Sequence, residues 1–384
     1  MNSSKVKKEK SGYQPWHLEF RPQTLEEVSG HGLLKRTLIN SIEQGKIASG
    51  YLFCGGKGTG KTSTARIFAK SLNCLKTKTP TVTPCGECSN CKEIESGINL
   101  DVIEIDAASN NGVEHIRSII ESTQLSAINS RYRIYVLDES HMLTRNAANS
   151  LLKCLEEASK KRVVFILATT EKDKVIDTIA SRCQTFDFLP IPQSAIVERL
   201  QFICEREGVE ASPEAIKAIA KHSKGGMRDA IQQLEKLVLA GKTPVKTEDV
   251  REEAGKSSTE ALKRIIDCIF SEGIEGTYEL LKTGSELINE GREPKSILEE
   301  MLEIYRDLTL LVLIKEGKET PVEVPLRSDL DRGYLAKIAA KTSWEEVDLG
   351  VSILAKAEEE ISSSNPGMWL DIVLMRLAKP GIIF

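Results

Sequence analysis

The sequence predicts a doubly wound α/β domain with a parallel sheet, followed by a remainder built only of helices. Three observations lead there. Five short β-like runs, at 50–54, 101–106, 133–138, 163–169 and 184–188, alternate with helical patterns, as in parallel sheets covered by helices on both faces. Three of these runs end in polar groups: a glycine-rich loop after Cys54, the pair Asp138-Glu139, and Thr169-Thr170. Ligands of such sheets bind outside the carboxyl ends of the strands, so all three point to one crevice. Beyond Leu189-Pro190-Ile191-Pro192, which reads as a linker, no further β-like run occurs.

Taken in order, residues 1–12 are polar and basic without an apolar stretch. They read as a solvated tail rather than a secretory signal. The run at 50–54 then feeds into Gly55-Gly56-Lys57-Gly58-Thr59-Gly60-Lys61-Thr62-Ser63, and a helical pattern follows from Thr64. Strand, Gly-x4-Gly-Lys-Thr and helix together form a P-loop. Its glycines let backbone amides surround phosphate oxygens, and the new helix aims its positive end at the same anion. Lys61 supplies a charge for the β- and γ-phosphates, and the Thr62 hydroxyl a ligand for magnesium. A nucleoside triphosphate is therefore expected.

Between the P-loop helix and the second strand stand Cys74, Cys85, Cys88 and Cys91, spaced x10, x2 and x2 within a polar, Thr- and Pro-rich stretch. Four thiolates with no open position describe a structural zinc site. An iron–sulfur cluster takes the same number of ligands at other spacings, and two disulfides would need an oxidising compartment. Cys54, Cys154, Cys183, Cys204 and Cys268 read as small buried residues.

The apolar run at 133–138 ends in Asp138-Glu139. An Asp-Glu pair alone is usually a solvated turn. Downstream of a P-loop it reads as a Walker B element, with Asp138 holding magnesium and Glu139 orienting and deprotonating the attacking water. After the linker, amphipathic helices are expected at 195–207, 213–221 and 227–240, then at 259–270, 274–289 and 296–314. Ser212 is the expected N-cap, with Pro213 at the first helical position. A polar loop is expected at 316–330.

At 384 residues, with 40% hydrophobic and 28% charged content, the chain has the composition of a globular protein of two or three domains. No run reaches the ~18 apolar residues of a membrane helix. Nine cysteines, an odd number with four clustered, fit a reducing cytoplasm better than a disulfide framework. A net charge of −4 excludes a broad basic field, so contacts with nucleic acid must be local. The polar helix starts at 109–112 and 144–146 are candidates, although Thr144 alone reads as a simple N-cap.

Ile105-Asp106-Ala107-Ala108-Ser109-Asn110, Leu137-Asp138-Glu139-Ser140-His141-Met142-Leu143, Leu151-Leu152-Lys153-Cys154-Leu155-Glu156-Glu157, Ala168-Thr169-Thr170-Glu171 and Ser181-Arg182-Cys183 together resemble the bacterial clamp-loader ATPases of the DNA polymerase III gamma/tau type. These are AAA+ proteins. Arg21–Val28 fits that family's N-terminal nucleotide-edge segment, and the four cysteines sit where it carries its zinc module. The resemblance covers about residues 13–240, and more weakly the C-terminal helices, where 368–380 is similar to the last collar helix.

The resemblance implies an AAA+ ATPase domain at 13–190 with a zinc insertion at 74–91, a helical lid at 191–255 and an all-α collar at 256–384. It implies ATP, Mg2+ and Zn2+ as cofactors. Implied partners are delta, delta-prime and further gamma/tau subunits, the sliding clamp and primer–template DNA. By position, Thr170 matches the sensor of the γ-phosphate, and Arg228 a lid arginine reaching the same subunit's nucleotide. Arg182 matches an arginine finger acting on a neighbour's ATP. A lone arginine is otherwise a surface ion pair by default.

Departures are Ser140 for the commoner Val, 158–161 for a Pro-Pro turn, and Gly30-His31 for Gly-Gln. None touches a phosphate, magnesium or zinc role. A delta-prime-type subunit typically carries a degraded P-loop, whereas residues 55–62 are intact here. A Holliday-junction or recombination AAA+ motor would lack the zinc insertion and the Ser-Arg-Cys finger. The complete hydrolytic set counts against a zinc-organised DNA-binding module without turnover. Such families are often grouped under DNA-directed DNA polymerase, yet no separate acidic triad for nucleotidyl transfer is evident. The chain ends after the expected collar, so a gamma-length form without a tau-type extension is expected.

Overall fold

A computed structural model describes residues 13–378 apart from 111, 125, 159–161, 254–258, 271–273, 316–325, 329 and 361–365. The expected basic tail, most of the expected polar loop at 316–330, and Asn111 lie outside the described residues. The described chain divides into two compact units, Met1–Val245 and Lys246–Phe384.

The first unit is organised by a five-stranded sheet of β1 (Gly50–Gly55), β2 (Val102–Asp106), β3 (Arg133–Asp138), β4 (Val163–Thr169) and β5 (Gln184–Phe188). Every pairing is parallel and the order is β2-β3-β4-β1-β5. β4 is buried along its whole length and β1 in all but its last residue, as expected of strands covered on both faces. Side chains alternate between faces. Tyr51 and Phe53 join one core with Phe68, Ile134, Val136 and Ile166. Leu52 and Cys54 join the other with Tyr135, Leu137, Phe165 and Leu151. β2 starts one residue later than the sequence pattern suggests. The buried Asp101 carboxylate is instead engaged by the amides of Ile128, Asn129 and Ser130 at 2.8–2.9 Å, and these bonds hold its pKa down against its burial.

Register fixes the site. Cys54 stands level with Thr169, and Asp106 with Asp138. The P-loop, Asp138-Glu139 and Thr169-Thr170 therefore emerge together from one end of the sheet.

The helices Gln193–Glu207, Pro213–His222 and Met227–Leu239 complete this unit. Ser212 caps the second by accepting from the Ala215 amide at 3.1 Å, with Pro213 at its first position. In the second unit every element among the described residues is a helix, from Thr247–Glu253 to Pro366–Ala378. Leu298, Met301, Ile304 and Leu308 of helix Pro294–Lys315 lie at its core with Ile265, Leu354, Leu370 and Leu374. Helices Arg332–Lys341 and Trp344–Glu360 also belong to it, within the stretch expected to be all helical. Among the described residues, no helix is long and apolar enough to cross a membrane.

Candidate functional site

β1 passes into helix Lys61–Asn73 through a loop that must reverse within five residues. Gly58 and Gly60 do this at φ of 73° and 101°, a region that disfavours side chains. At Gly55 a Cβ would run into the Phe188 backbone and side chain of β5, so the loop leaves the sheet where only glycine fits. No side chain caps the new helix, which leaves its first amides and positive end to an anion.

Lys61 is 7% exposed. Its Nζ donates to the carbonyls of Gly55 and Gly56 at 2.7 and 2.8 Å. Burial lowers its pKa, while Asp138 and Glu139 pull the other way. Thr62 Oγ1 donates to Asp138 Oδ2 at 2.8 Å, and the Glu139 amide donates to Asp138 Oδ1 at 3.0 Å. Thr62 and Asp138 thus form a compact set of hard oxygen donors suited to Mg2+, which is commonly held by one or two protein oxygens with water and phosphate completing the shell. Glu139 has left-handed backbone (φ 49°), and its Oε2 accepts from Thr170 Oγ1 at 3.2 Å.

These groups share one cleft. It is lined by Lys57–Ser63, Asp138, Glu139 and Thr170, by Met227, Arg228 and Ile231 of helix Met227–Leu239, by Ile191 and Arg199, and by His17, Phe20 and Arg21. The helix Met227–Leu239 meets the P-loop directly, its Met227 amide donating to Gly58 O at 3.0 Å. Arg228 therefore lies in the cleft with the P-loop. Arg182 does not. It is partly exposed beside helix Asp177–Ala180, with Nε on Glu156 Oε1 at 2.7 Å and an NH1 bond to Thr178 O at 2.9 Å.

Sequence reasoning missed several cleft residues. Phe20, Ile191, Met227 and Ile231 supply apolar lining suited to a planar base, yet they come from separate segments and each reads as an ordinary core residue. Glu235 is buried and fixes the N-terminal strap to the same helix. Its Oε1 accepts from Tyr13 Oη at 2.7 Å and the Trp16 amide at 2.9 Å. His31, one of the departures above, places its Nε2 on Thr59 O at 3.0 Å and its ring 5.0 Å from that of Phe188. Burial lowers its pKa. At the candidate helix start Thr144, the hydroxyl accepts from the Ala147 amide at 3.3 Å, so it serves there as an N-cap.

The sulfurs of Cys74, Cys85, Cys88 and Cys91 all lie within 4.8 Å of one another. Tetrahedral bonds of about 2.3 Å would place them roughly 3.8 Å apart, and Cys85 and Cys91 stand at 4.0 Å. Cys74 and Cys91 are buried. Amides of Glu87 and Cys88 lower the Cys85 pKa to about 6, whereas burial raises that of Cys91. The insertion is rooted rather than loosely attached. Arg131 donates to the carbonyls of Leu72, Cys74 and Thr77 at 2.6–2.8 Å, and the buried Asn90 to Asn73 O and Ser130 Oγ at 3.0 and 3.1 Å.

Three family models match the chain in succession. Residues 30–192 match DNA polymerase III, delta subunit; residues 195–238 match the ATPase lid domain of the DNA polymerase III clamp loader subunit; residues 245–381 match domain III of DNA polymerase III subunits gamma and tau. Among curated relatives, DNA polymerase III subunit tau of Bacillus subtilis is 37% identical over 96% of this chain and 63% of that one. The tau subunit of Escherichia coli is 35% identical over 78% of this chain and 46% of its own. DNA polymerase III subunit gamma of Buchnera aphidicola subsp. Acyrthosiphon pisum is 34% identical over 91% of this chain and 94% of its own. The chain thus spans about half to two thirds of the tau relatives and nearly all of the gamma relative.

Proposed function

The chain belongs to the DNA polymerase III gamma and tau family, and on that premise we propose that it is an ATPase motor of a bacterial clamp loader, using ATP to place a sliding clamp on primed DNA. The observation carrying this reading is the convergence of Lys61, Thr62, Asp138, Glu139, Thr170 and Arg228 on one cleft. In this reading 13–190 is the ATPase domain with its insertion at 74–91, 191–255 the lid and 256–384 the collar.

Bound MgATP supplies the phosphoanhydride to be cleaved and a metal that neutralises its charge. Gly55–Ser63 hold the phosphates, with the Lys61 ammonium turning from the loop carbonyls to them. Thr62 and Asp138 hold the magnesium. Glu139 accepts a proton from the attacking water, Thr170 positions that carboxylate, and Arg228 binds phosphate from the lid. Arg182, outside its own subunit's cleft, reaches a neighbour's nucleotide across a subunit interface. The partners are further gamma/tau copies, delta and delta-prime subunits, the clamp and primer–template DNA, in the cytoplasm.

The test is ATP turnover by the chain assembled with its native partners. Clamp and primed DNA should stimulate it, and a rate indifferent to both would contradict the reading. In the same assay, Arg182→Ala should leave ATP affinity of the isolated chain intact. Stimulated turnover should fall steeply, since a finger supplied in trans contributes about 10³–10⁵ in kcat. Unchanged stimulated turnover would make Arg182 structural.

Zinc held by Cys74, Cys85, Cys88 and Cys91 would organise the insertion. Metal analysis of reduced, unchelated protein should give one zinc per chain. A value near zero, or iron–sulfur absorption, would refute the assignment. Because Arg131 and Asn90 anchor the insertion without metal, chelation should perturb residues 74–91 more than nucleotide affinity.

A further inference from the structure

We propose that His141 is a positioning residue that holds the Glu139 carboxylate and ties it to Glu171 beyond the end of β4. The proposal rests on the reading of Glu139 as the group that orients the water.

His141 follows the Walker B pair in the short turn Ser140–Met142. Its side chain is only 7% exposed, and buried polar groups need partners. It has three. Nδ1 lies 3.0 Å from Thr169 Oγ1 and 3.5 Å from Glu139 Oε2. Nε2 lies 3.2 Å from Glu171 Oε1.

Thr169 Oγ1 donates to Glu171 O at 3.1 Å and accepts from the Glu171 amide at 3.0 Å. The same hydroxyl meets His141 Nδ1, and which of the two donates follows the tautomer of the ring. Nε2 faces the Glu171 carboxylate. The ring thus sets one edge against Thr169 and Glu139 and the other against Glu171, with both carboxylates at ion-pair distance.

The consequence falls on Glu139. Its Oε2 accepts from Thr170 Oγ1 and faces His141, so both described contacts hold the same oxygen and Oε1 is left for water. The turn itself cannot easily swing, because the buried Ser140 donates to Ala168 O of β4 at 3.0 Å. At the other end, Glu171 Oε2 takes Lys174 Nζ at 2.7 Å. An exposed ion pair is thus joined through one buried ring to the catalytic carboxylate. A merely space-filling histidine would not need a hydroxyl and two carboxylates around its ring.

The experiment compares ATP turnover, nucleotide affinity and melting temperature for the assembled complex carrying wild-type chain, His141→Ala, His141→Asn, Glu171→Ala or Glu139→Gln. Misplacing a catalytic group by an ångström can cost about 10²-fold. His141→Ala should accordingly lose roughly tenfold or more in kcat, with KM for ATP within about twofold. His141→Asn, whose amide N–H can stand near the Nδ1 position, should recover a clear part of that loss. Glu171→Ala, at the exposed end and without risk to the core, should lower kcat by roughly threefold. Wild-type kcat in His141→Ala, or equal losses in the Ala and Asn variants together with lost affinity and melting temperature, would overturn the positioning role. Wild-type kcat in Glu171→Ala would overturn the tie to Glu171. If Glu139→Gln itself turns over normally, the underlying reading of Glu139 fails. If it is inactive while the His141 variants are normal, only this proposal fails.

Discussion

Lys61→Ala is expected to weaken ATP binding by about 100-fold or more, since hydrogen bonds to a charged group are worth ~1.5–3 kcal/mol each and Lys61 can offer two to the β- and γ-phosphates. The ammonium is already buried in the cleft and held on the Gly55 and Gly56 carbonyls. It is therefore poised over the loop that would carry the phosphates, and part of its desolvation has been met in folding. The Ala variant loses the charge and leaves two carbonyls without that donor, so the loop is also expected to loosen. Calorimetric titration with MgATP is the check. Equal affinity in wild type and Lys61→Ala would remove the P-loop from the site.

Glu139→Gln should separate binding from chemistry. The amide keeps the shape of the carboxylate and can still accept from Thr170 Oγ1, and the magnesium pair Thr62–Asp138 is untouched. It cannot take a proton from water, and a positioned general base contributes about 10²–10⁴-fold. Turnover should fall by that factor while the dissociation constant for ATP stays within roughly threefold. Single-turnover hydrolysis beside equilibrium binding measures both. Comparable losses in the two would place Glu139 among the structural residues of the turn instead.

The parts of the site written as contiguous strings were legible in the sequence. The P-loop, Asp138-Glu139 and Thr170 each follow a strand end, and the parallel register of β1, β3 and β4 brings them together. The cysteine spacing likewise marked a cluster whose sulfurs converge. Contacts between residues far apart in the chain were not legible. Glu235 meets Tyr13 and Trp16 across more than 200 positions, and nothing local marks a buried glutamate as a strap anchor. Arg131 as the root of the insertion is a similar case, as is the start of β2, which shifts because Asp101 is drawn into bonds with residues 128–130. In the second unit the all-helical character was legible, whereas the separate bounds of helices Arg332–Lys341 and Trp344–Glu360 were not. Their packing against helix Pro294–Lys315 supplies what periodicity does not.

The most direct test of the central claim is retention of a labelled clamp on primed circular DNA after incubation with the assembled complex, compared for the wild-type chain, Lys61→Ala and the absence of ATP. The cleft described here predicts loading with wild type and ATP, and background levels in the other two. Equal loading without ATP, or with Lys61→Ala, would contradict it.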